Sequence, residues 1–222
     1  MDRYLQNKTL ISSTDQEKLS ESKVIILGVG GLGGYATEML ARIGIGTLIL
    51  VDFDRFDMTN LNRQILATES NLGSFKVEEA KKRVATINSE VEVITIDKKI
   101  TSTNIHEIIE GVDIVVDGLD DSMLKKVVES SCSKLNIPMV HGAINGFIGQ
   151  VAMIMPGDFI LDKIYGDKKI KSDLGNPSFI PPLVASIQVG EVIKYILKKG
   201  ENMSKEILYI DLENNTFTPL KI

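Results

Sequence analysis

The sequence predicts an α/β fold, built on an open, mostly parallel sheet with helices on both faces and a partly antiparallel C-terminal extension. Short, fully apolar runs alternate with segments of helical periodicity as far as residue 135, as buried parallel strands and crossover helices do. A glycine-rich turn follows the first apolar run. Beyond Pro138 this alternation loosens. Because the chain has 222 residues, we expect residues 1–222 to form a single domain.

The composition predicts a soluble, cytoplasmic protein. The chain is 43% apolar and 25% charged, and its net charge of −5 argues against a nucleic-acid partner. The longest apolar runs are far shorter than the roughly 20 residues that cross a bilayer, so no membrane contact is expected. Nothing at the N-terminus resembles a signal peptide, and the single cysteine, Cys132, cannot form an internal disulfide.

The start of the chain predicts a strand–helix–strand unit behind a helical arm. Residues 1–22 are polar with scattered apolar positions and predict an N-terminal helical arm, with a turn or cap at residues 12–15. Residues 24–27 form an apolar strand that runs directly into the glycines. The helix after the glycines ends at Gly44, and the next strand covers residues 47–51.

The remaining elements follow from periodicity and turn residues. Helices are expected at residues 71–88, around 105–109, at 122–135 and from 181 to 199, and strands at 91–96, 114–117, 139–140, 151–155, 207–210 and 216–218. Residues 141–150 are interpreted as a glycine-rich loop between two strands. Residues 156–181 lack a regular pattern and are interpreted as an irregular crossover loop, whose length favours a functional role.

The glycines of the first turn form the pattern Gly28-x-Gly30-x-x-Gly33. They stand where a strand turns sharply into a helix, so that backbone N–H groups at the helix start face an incoming phosphate. Asp52 follows nineteen residues after Gly33, at the end of the next strand, where it can accept hydrogen bonds from ribose hydroxyls. These features predict a Rossmann-like nucleotide site.

The polar stretch after the second strand narrows the type of nucleotide. Residues 51–64 contain three acids, two Asn, two Arg and a Gln. A nicotinamide dehydrogenase fits the glycines and Asp52, but it needs apolar walls beyond the ribose acid rather than Asp54 and an Arg among Asn side chains. An enzyme that cleaves a triphosphate needs fixed cations and amide donors. Arg63 and Lys76 are the candidate cations, although position alone favours the interpretation of Lys76 as a solvated lysine of its helix.

Three carboxylates follow the fourth strand: Asp117, Asp120 and Asp121. They lie at the carboxyl edge of the predicted sheet, where ligands of open α/β sheets bind. Because Mg²⁺ prefers one or two carboxylates together with phosphate oxygens and water, such a loop predicts a magnesium site. We assign Asp120 to the metal, and Asp121 to a minor contact or to the N-cap of the helix that begins at Ser122.

Other reactive side chains carry weaker signals. Cys132 lies among Val127 and Val128 in a helix, which favours a buried structural cysteine over a nucleophile. His106 and His141 have no Cys or carboxylate at metal-ligand or nucleophile spacing. His141 stands beside the glycine-rich loop, but a structural role is the preferred interpretation.

Together these motifs resemble the MoeB/ThiF/HesA family, bacterial relatives of the ubiquitin-activating enzymes. The matching features are GVGGLGG at 28–34, VDFD at 51–54, NLNRQ at 60–64, residues 73–76 with their helix, DGLDD at 117–121 and HGAINGFIGQ at 141–150. The resemblance implies binding of ATP with Mg²⁺ and adenylation of the C-terminal glycine of a small ubiquitin-like sulfur-carrier protein that ends in Gly-Gly. Pyrophosphate is released, in sulfur transfer of the thiamine or molybdopterin type. It also implies a homodimer.

The resemblance assigns roles residue by residue. Gly31 would lie at the phosphates, Arg63 would bind them, Lys76 would stabilise the transition state, and Asp120 would hold Mg²⁺. These last three are the expected catalytic residues. The expected nucleotide-binding residues are Gly28, Gly30, Gly31, Gly33, Asp52, Asp54, Thr59, Asn60, Asn62, Arg63, Gln64, Lys76, Asp120 and Asp121.

The chain departs from the family pattern at three places. Many members carry two C-x-x-C pairs that bind zinc, and one cysteine cannot build such a site, so no zinc is expected. The loop before the last long helix lacks the cysteine that some members use in sulfur transfer, which predicts adenylation without a covalent thioester or persulfide. Gln6 replaces the second Arg of an N-terminal Arg-Tyr-x-Arg motif. Either Arg3 substitutes for it, or catalysis is weaker or the substrate differs.

Two alternatives stay open, and the first of them follows from these departures. The protein could be a catalytically reduced subunit that binds nucleotide or carrier without releasing pyrophosphate. It could also belong to the branch of the family that dehydrates a modified tRNA base, against which the acidic net charge speaks.

Overall fold

The computed structural model describes residues 3–166 and 174–222. The helices are α1 (Ser13–Glu21), α2 (Gly31–Ile43), α3 (Lys76–Ile87), α4 (Ile105–Ile109), α5 (Ser122–Leu135), α6 (Ile160–Tyr165) and α7 (Ile180–Leu197). The strands are β1 (Lys23–Leu27), β2 (Thr47–Val51), β3 (Glu92–Ile96), β4 (Ile114–Asp117), β5 (Met139–Asn145), β6 (Ile148–Ile154), β7 (Glu206–Asp211) and β8 (Thr216–Lys221).

All eight strands form one sheet in the order β3-β2-β1-β4-β5-β6-β7-β8. Strands β1 to β5 pair in parallel, and β6, β7 and β8 continue the sheet in antiparallel pairs. The predicted mixed α/β sheet is therefore confirmed. The direction in which the chain adds strands reverses between β1 and β4, and ligands of open α/β sheets bind in the crevice at such a point.

Helices cover both faces of the sheet, as expected. On β1, Val24 and Ile26 face a core formed with α2, α3 and α7, whereas Ile25 and Leu27 face a core formed with α4, α5 and α6. All four side chains are fully buried. This two-sided burial explains why residues 24–27 of β1 are all apolar instead of alternating.

The N-terminal arm contains α1, held at its start by a capping box. The Ser12 hydroxyl accepts the Asp15 N–H at 3.2 Å, and the Asp15 carboxylate accepts the Ser12 N–H at 2.9 Å. Both bonds satisfy amides that a helix start leaves without partners. The cap predicted at residues 12–15 is confirmed.

The helix predicted over residues 71–88 begins later than expected, at Lys76. Asn71 is engaged in a separate short turn, where its side-chain oxygen accepts the Thr68 N–H at 2.9 Å. Gly73 then takes a φ of +84°, in the left-handed region that favours glycine. This turn breaks the helix register and lets α3 start beside the loop after β2, where the Lys76 N–H donates to the Asp54 carbonyl oxygen.

The interpretation of residues 141–150 as a loop is wrong, because most of them belong to the β5–β6 hairpin. Two glycines of this stretch, Gly142 and Gly149, serve helix packing. A Cβ added at Gly142 would lie 2.5 Å from the Gln188 side chain, and one at Gly149 would lie 2.5 Å from Val184. Both neighbours belong to α7, so the glycines let this helix approach the sheet closely.

The crossover region 156–181 is more regular than predicted, because it contains α6 and the start of α7. The carboxylate of Glu129, on α5, accepts the N–H groups of Ile160 and Leu161 at 2.7 and 3.2 Å. This cap comes from a distant part of the chain, which local sequence cannot show. The part of the predicted loop at residues 167–173 lies outside the described residues.

The long helix α7 has the length and composition of a membrane span, the only such helix among residues 3–166 and 174–222. It packs against α2, β5 and β6. Val184 and Val192 are fully buried in the core on that face. Its apolar composition is therefore explained by its position in the core.

Candidate active site

The glycine turn after β1 brings two loops into direct contact. Gly28 has a φ of +85°, and a Cβ on it would lie 2.7 Å from the Gly118 carbonyl oxygen. A Cβ on Gly33 would lie 1.8 Å from the Gly28 carbonyl oxygen. No side chain fits at these positions. The first turn of α2, which begins at Gly31, therefore lies next to the loop that follows β4.

Asp52 ties the glycine turn to the end of β2. Its carboxylate accepts the Val29 N–H at 2.8 Å and the Asp54 N–H at 2.9 Å. Burial raises the pKa of Asp52, against the opposing effect of the Lys76 charge. Because each carboxylate oxygen has two lone pairs, Asp52 retains acceptor capacity for a ligand.

Lys76 is buried, so its interpretation as a solvated lysine is wrong. Only 7% of its side chain is exposed, and its ammonium lies 3.1 Å from the Asp54 carboxylate. The Lys76 N–H also donates to the Asp54 carbonyl oxygen at 3.0 Å. The Asp54 side chain is 51% exposed. The ammonium of Lys76 is thus buried, whereas the carboxylate paired with it faces solvent.

The polar stretch after Asp54 folds into a short turn that holds Arg63. Asp57 accepts the Thr59 N–H at 2.7 Å, and its own N–H donates to Asn60 at 3.2 Å. The Arg63 guanidinium donates to the Thr59 carbonyl oxygen at 2.8 Å and to the Asn62 side chain at 2.9 Å. Both partners are neutral, so the charge of Arg63 is oriented by them without being neutralised.

Gln64 and Asn176 contribute acceptors to the same region. Gln64 is 6% exposed, and its Nε2 lies 3.5 Å from the position that a Cβ on Gly30 would take. Asn62 donates to the Asn176 carbonyl oxygen at 3.2 Å, which joins the polar turn to the segment before α7. Within the described chain, the side-chain oxygens of Gln64 and Asn176 are buried without a hydrogen-bond partner. Such atoms favour a bound donor group or water.

The carboxylates after β4 differ in their surroundings. Asp120 is exposed, whereas Asp121 accepts the N–H groups of Met123 and Leu124 at 2.9 and 3.2 Å and caps α5. No group of three His, Cys, Asp or Glu side chains that could hold a metal ion occurs among the described residues. A magnesium ion at Asp120 would therefore need oxygen ligands from a bound phosphate, which is how Mg²⁺ is commonly held.

Asp117, the last residue of β4, lies in a buried polar network that the sequence did not predict. Its carboxylate lies 2.7 Å from the Lys125 ammonium and 2.8 Å from His141 Nδ1. The Tyr165 hydroxyl lies 3.1 Å from His141 Nε2. The sequence did contain a signal for part of this network: two charged residues, Lys125 and Glu129, lie on the same face of α5 as the buried Cys132.

The other candidate nucleophiles lie away from these loops. Cys132 is 3% exposed, and burial raises the pKa of its thiol to about 12. The interpretation of Cys132 as a buried structural residue is confirmed. His106 is exposed on α4.

This chain is similar in sequence to proteins of one known family. The sequence pattern of the ThiF family matches residues 2–222. The chain belongs to the ThiF family. The molybdopterin-synthase adenylyltransferase of Haemophilus influenzae is 35% identical over 218 residues, which cover 94% of this chain and 89% of that protein. The SAMP-activating enzyme E1 of Haloferax volcanii is 31% identical over 225 residues, which cover 98% and 83%.

A solved structure extends the similarity to three dimensions. The crystal structure of E. coli MccB with ATP matches this ThiF-family chain with a TM-score of 0.87 and 27% identity. The match covers 99% of this chain and 70% of that one. The mixed sheet is therefore shared with a protein crystallised with ATP.

The N-terminal departure from the family pattern also has a structural counterpart. Arg3 donates to the Asn88 side chain and forms an ion pair with Glu90 at 3.4 Å. The Tyr4 hydroxyl accepts a hydrogen bond from Asn88 at 2.8 Å. Arg3 is thus engaged at the end of α3 of its own chain. To take the place of the Arg that Gln6 replaces, it would have to leave these partners.

Proposed function

We propose that this protein adenylates the C-terminal glycine of a small ubiquitin-like sulfur-carrier protein, with ATP as the second substrate and pyrophosphate as the product. The observation that carries the proposal is the buried Lys76 ammonium beside the exposed Asp54 carboxylate. Asp54 is close in sequence to Asp52, whose carboxylate binds the glycine turn. The names of the relatives, an adenylyltransferase and an activating enzyme, support the same reaction.

The residues present fit a magnesium nucleotide. Gly28 and Gly33 leave backbone where side chains would clash, so phosphates can approach the first turn of α2. The buried acceptor of Gln64 fits a donor on the ligand. Asp120 is an exposed carboxylate that fits Mg²⁺ held largely by phosphate oxygens. The proposed nucleotide site consists of Gly28, Gly30, Gly31, Gly33, Asp52, Asp54, Thr59, Asn60, Asn62, Arg63, Gln64, Lys76, Asp120 and Asp121.

The reaction requires no nucleophile from this chain. An oxygen of the carrier's terminal carboxylate attacks the α-phosphorus of ATP, a new C–O–P link forms, and the bond from the α-phosphorus to the bridging oxygen breaks as pyrophosphate leaves. Arg63 and Lys76 neutralise the negative charge that develops on the phosphates. A magnesium ion bound at Asp120 would supply further charge neutralisation. The backbone turn after β1 holds the nucleotide in line with the incoming carboxylate.

The proposal extends to the form of the enzyme. The whole chain acts as one adenylation domain, it works as a cytoplasmic homodimer, and it binds no zinc. The acyl-adenylate is its final product on the carrier, without a thioester or persulfide on the enzyme. The burial of Cys132 and the raised pKa of its thiol support this last point, because the thiolate is the reactive form of cysteine.

Carrier-dependent exchange of labelled pyrophosphate into ATP tests the proposal. The protein is assayed with each small protein of its organism that ends in Gly-Gly. We expect exchange with at least one carrier, its loss in Asp120→Ala, and a sharp reduction in Arg63→Ala. Glu107→Ala, an exposed acid on α4, serves as the matched control and should retain full exchange.

The same assay separates the alternatives. Binding of ATP without exchange for any carrier would contradict the proposal and favour a catalytically reduced subunit or a substrate that is not a protein. If exchange survives in Asp120→Ala, the protein adenylates the carrier but Asp120 is not a required ligand of the metal.

A further inference from the structure

Four side chains outside the proposed nucleotide contacts form a continuous buried network. The Lys125 ammonium lies 2.7 Å from the Asp117 carboxylate, which lies 2.8 Å from His141 Nδ1, and the Tyr165 hydroxyl lies 3.1 Å from His141 Nε2. Lys125 is 3% exposed and Asp117 and His141 are fully buried. The four residues come from α5, β4, β5 and α6, so the network joins four elements.

The protonation of this network follows from its burial. Burial lowers the pKa of His141, against the opposing hydrogen bond to Asp117, so the ring is neutral at pH 7. Its Nδ1–H then donates to Asp117, and its Nε2 accepts the Tyr165 hydroxyl proton. Burial also opposes the charge on Asp117, but the Lys125 ammonium and the His141 hydrogen bond outweigh it and hold the pKa of Asp117 below its usual range.

Stability alone does not account for such a network. A buried ion pair costs so much desolvation that apolar side chains of similar volume often stabilise a fold equally well. What the network adds is geometry, because each hydrogen bond fixes the direction of one side chain relative to the next. The relevant question is which part of the molecule it orients.

The network fixes the loop that carries Asp120. The second oxygen of Asp117 accepts the Leu119 N–H at 3.0 Å, and the Gly118 N–H donates to the Leu27 carbonyl oxygen at 2.8 Å. The Gln188 side chain donates to the Asp117 carbonyl oxygen at 2.9 Å. Residues 117–119 are thus held at three points, and Asp120 follows directly.

The far end of the network is fixed as firmly. Tyr165 is the last residue of α6, whose first N–H groups are accepted by Glu129. At the other end of α6, the Lys126 ammonium donates to the Gly166 carbonyl oxygen at 2.9 Å and lies 2.6 Å from Asp162. Because α5 holds both ends of α6, the Tyr165 hydroxyl has a defined position from which to orient His141.

We propose that Lys125, Asp117, His141 and Tyr165 are positioning residues that set the place of Asp120 for the magnesium nucleotide. None of the four needs to contact ATP. Their effect passes through Asp117 to the Leu119 N–H and the backbone that carries Asp120. The proposal rests on the proposed role of Asp120 as a metal ligand, and it predicts that changes at His141 and Tyr165 weaken metal binding at a site they do not touch.

Binding of Mn²⁺ in place of Mg²⁺, followed by electron paramagnetic resonance with a non-hydrolysable ATP analogue, tests this without a carrier. His141→Leu removes the donor to Asp117 and should weaken Mn²⁺ binding about tenfold. His141→Asn keeps a donor near the position of Nδ1 and should restore most of that affinity. Tyr165→Phe removes only the hydroxyl and should weaken binding about threefold.

The control variant is Tyr195→Phe, on α7. A purely structural network would show lowered melting temperatures in His141→Leu and Tyr165→Phe with the Mn²⁺ affinity of the unchanged protein, and that result would overturn the proposal. If His141→Leu does not fold, His141→Asn and Tyr165→Phe decide the question. Normal pyrophosphate exchange with unaltered Mn²⁺ binding in Tyr165→Phe would reject the positioning role of the network and leave the proposed function intact. Absence of exchange in the unchanged protein would reject the proposed function alone.

Discussion

Two lysine–aspartate pairs lie at the carboxyl edge of the sheet, and they differ in what surrounds them. In the pair after β2, Lys76 is buried but its partner Asp54 is 51% exposed, at a separation of 3.1 Å. In the pair after β4, Lys125 and Asp117 are 3% and 0% exposed, at 2.7 Å. His141 and the Leu119 N–H also bond to the Asp117 carboxylate, whereas the carboxylate of Asp54 faces solvent.

This difference separates a pair that can bind a ligand from a pair that holds the fold. Asp54 can be hydrated when Lys76 turns toward a phosphate, so exchanging its partner costs little. Asp117 has no access to water, so losing Lys125 would leave a charge in the interior. We therefore propose that the same two residue types serve chemistry after β2 and geometry after β4. Variants of the two pairs test this contrast between ligand binding and stability.

The largest expected effect is the loss of stability in Lys125→Met. Asp117 would remain buried without its cation, and we expect the free energy of unfolding to fall by about 3–5 kcal/mol. Urea denaturation followed by circular dichroism measures this. The matched control is the adjacent Lys126→Met, because Lys126 pairs with Asp162, which is 65% exposed. That change should cost at most about 1 kcal/mol, and equal losses in both variants would contradict the contrast.

Lys76→Met should lower activity strongly and stability only slightly. We expect pyrophosphate exchange to fall by about 100- to 1,000-fold, as when one fixed donor to a developing charge is removed. The free energy of unfolding should change by no more than about 1 kcal/mol, because Asp54 can be hydrated. Lys82→Met, at an exposed position of the same helix, is the control for both measurements. A strongly destabilised Lys76→Met protein would mean that this pair, too, holds the fold.

The contrast between the pairs was only partly visible in the sequence. Strands β1, β2 and β4 could be predicted because each is a local, wholly apolar run that ends in a glycine or an acid. The acids at their ends could be placed together because parallel strands end at one edge. Lys76 could be named as a candidate cation, but its surroundings could not be predicted, since its ionic partner Asp54 lies twenty-two residues earlier.

The elements that could not be predicted depend on long-range contacts. The β5–β6 hairpin contains glycines that suggest a loop, and only the approach of α7 to Gly142 explains them. Helix α6 is short and is capped by Glu129 from α5. His141 is fully buried, and its partners Asp117 and Tyr165 lie twenty-four residues away on either side. No spacing rule connects such residues.

Acid should weaken the buried pair. Because the pKa of Asp117 is lowered by folding, its contribution to stability is complete above the unfolded value of about 4 and is lost as pH falls further. The double variant Asp117→Asn/Lys125→Met lacks this contribution, so its melting temperature should decline less on acidification from about pH 4 to about pH 2. Asp162→Asn/Lys126→Met, which changes the pair whose carboxylate is exposed, should follow the unchanged protein. Parallel acid profiles for all three proteins would contradict this assignment.

The smallest expected effect concerns Cys132, which is buried on α5 like Lys125. Because burial raises the pKa of this thiol to about 12, almost none of it is thiolate at neutral pH, and thiolate is the reactive form. We expect Cys132 to resist iodoacetamide in the folded protein and to react once the protein is unfolded in urea, as measured by mass spectrometry. Cys132→Ser should retain pyrophosphate exchange. Rapid modification of the folded protein would instead show that water reaches the α5 core, and with it the buried pair.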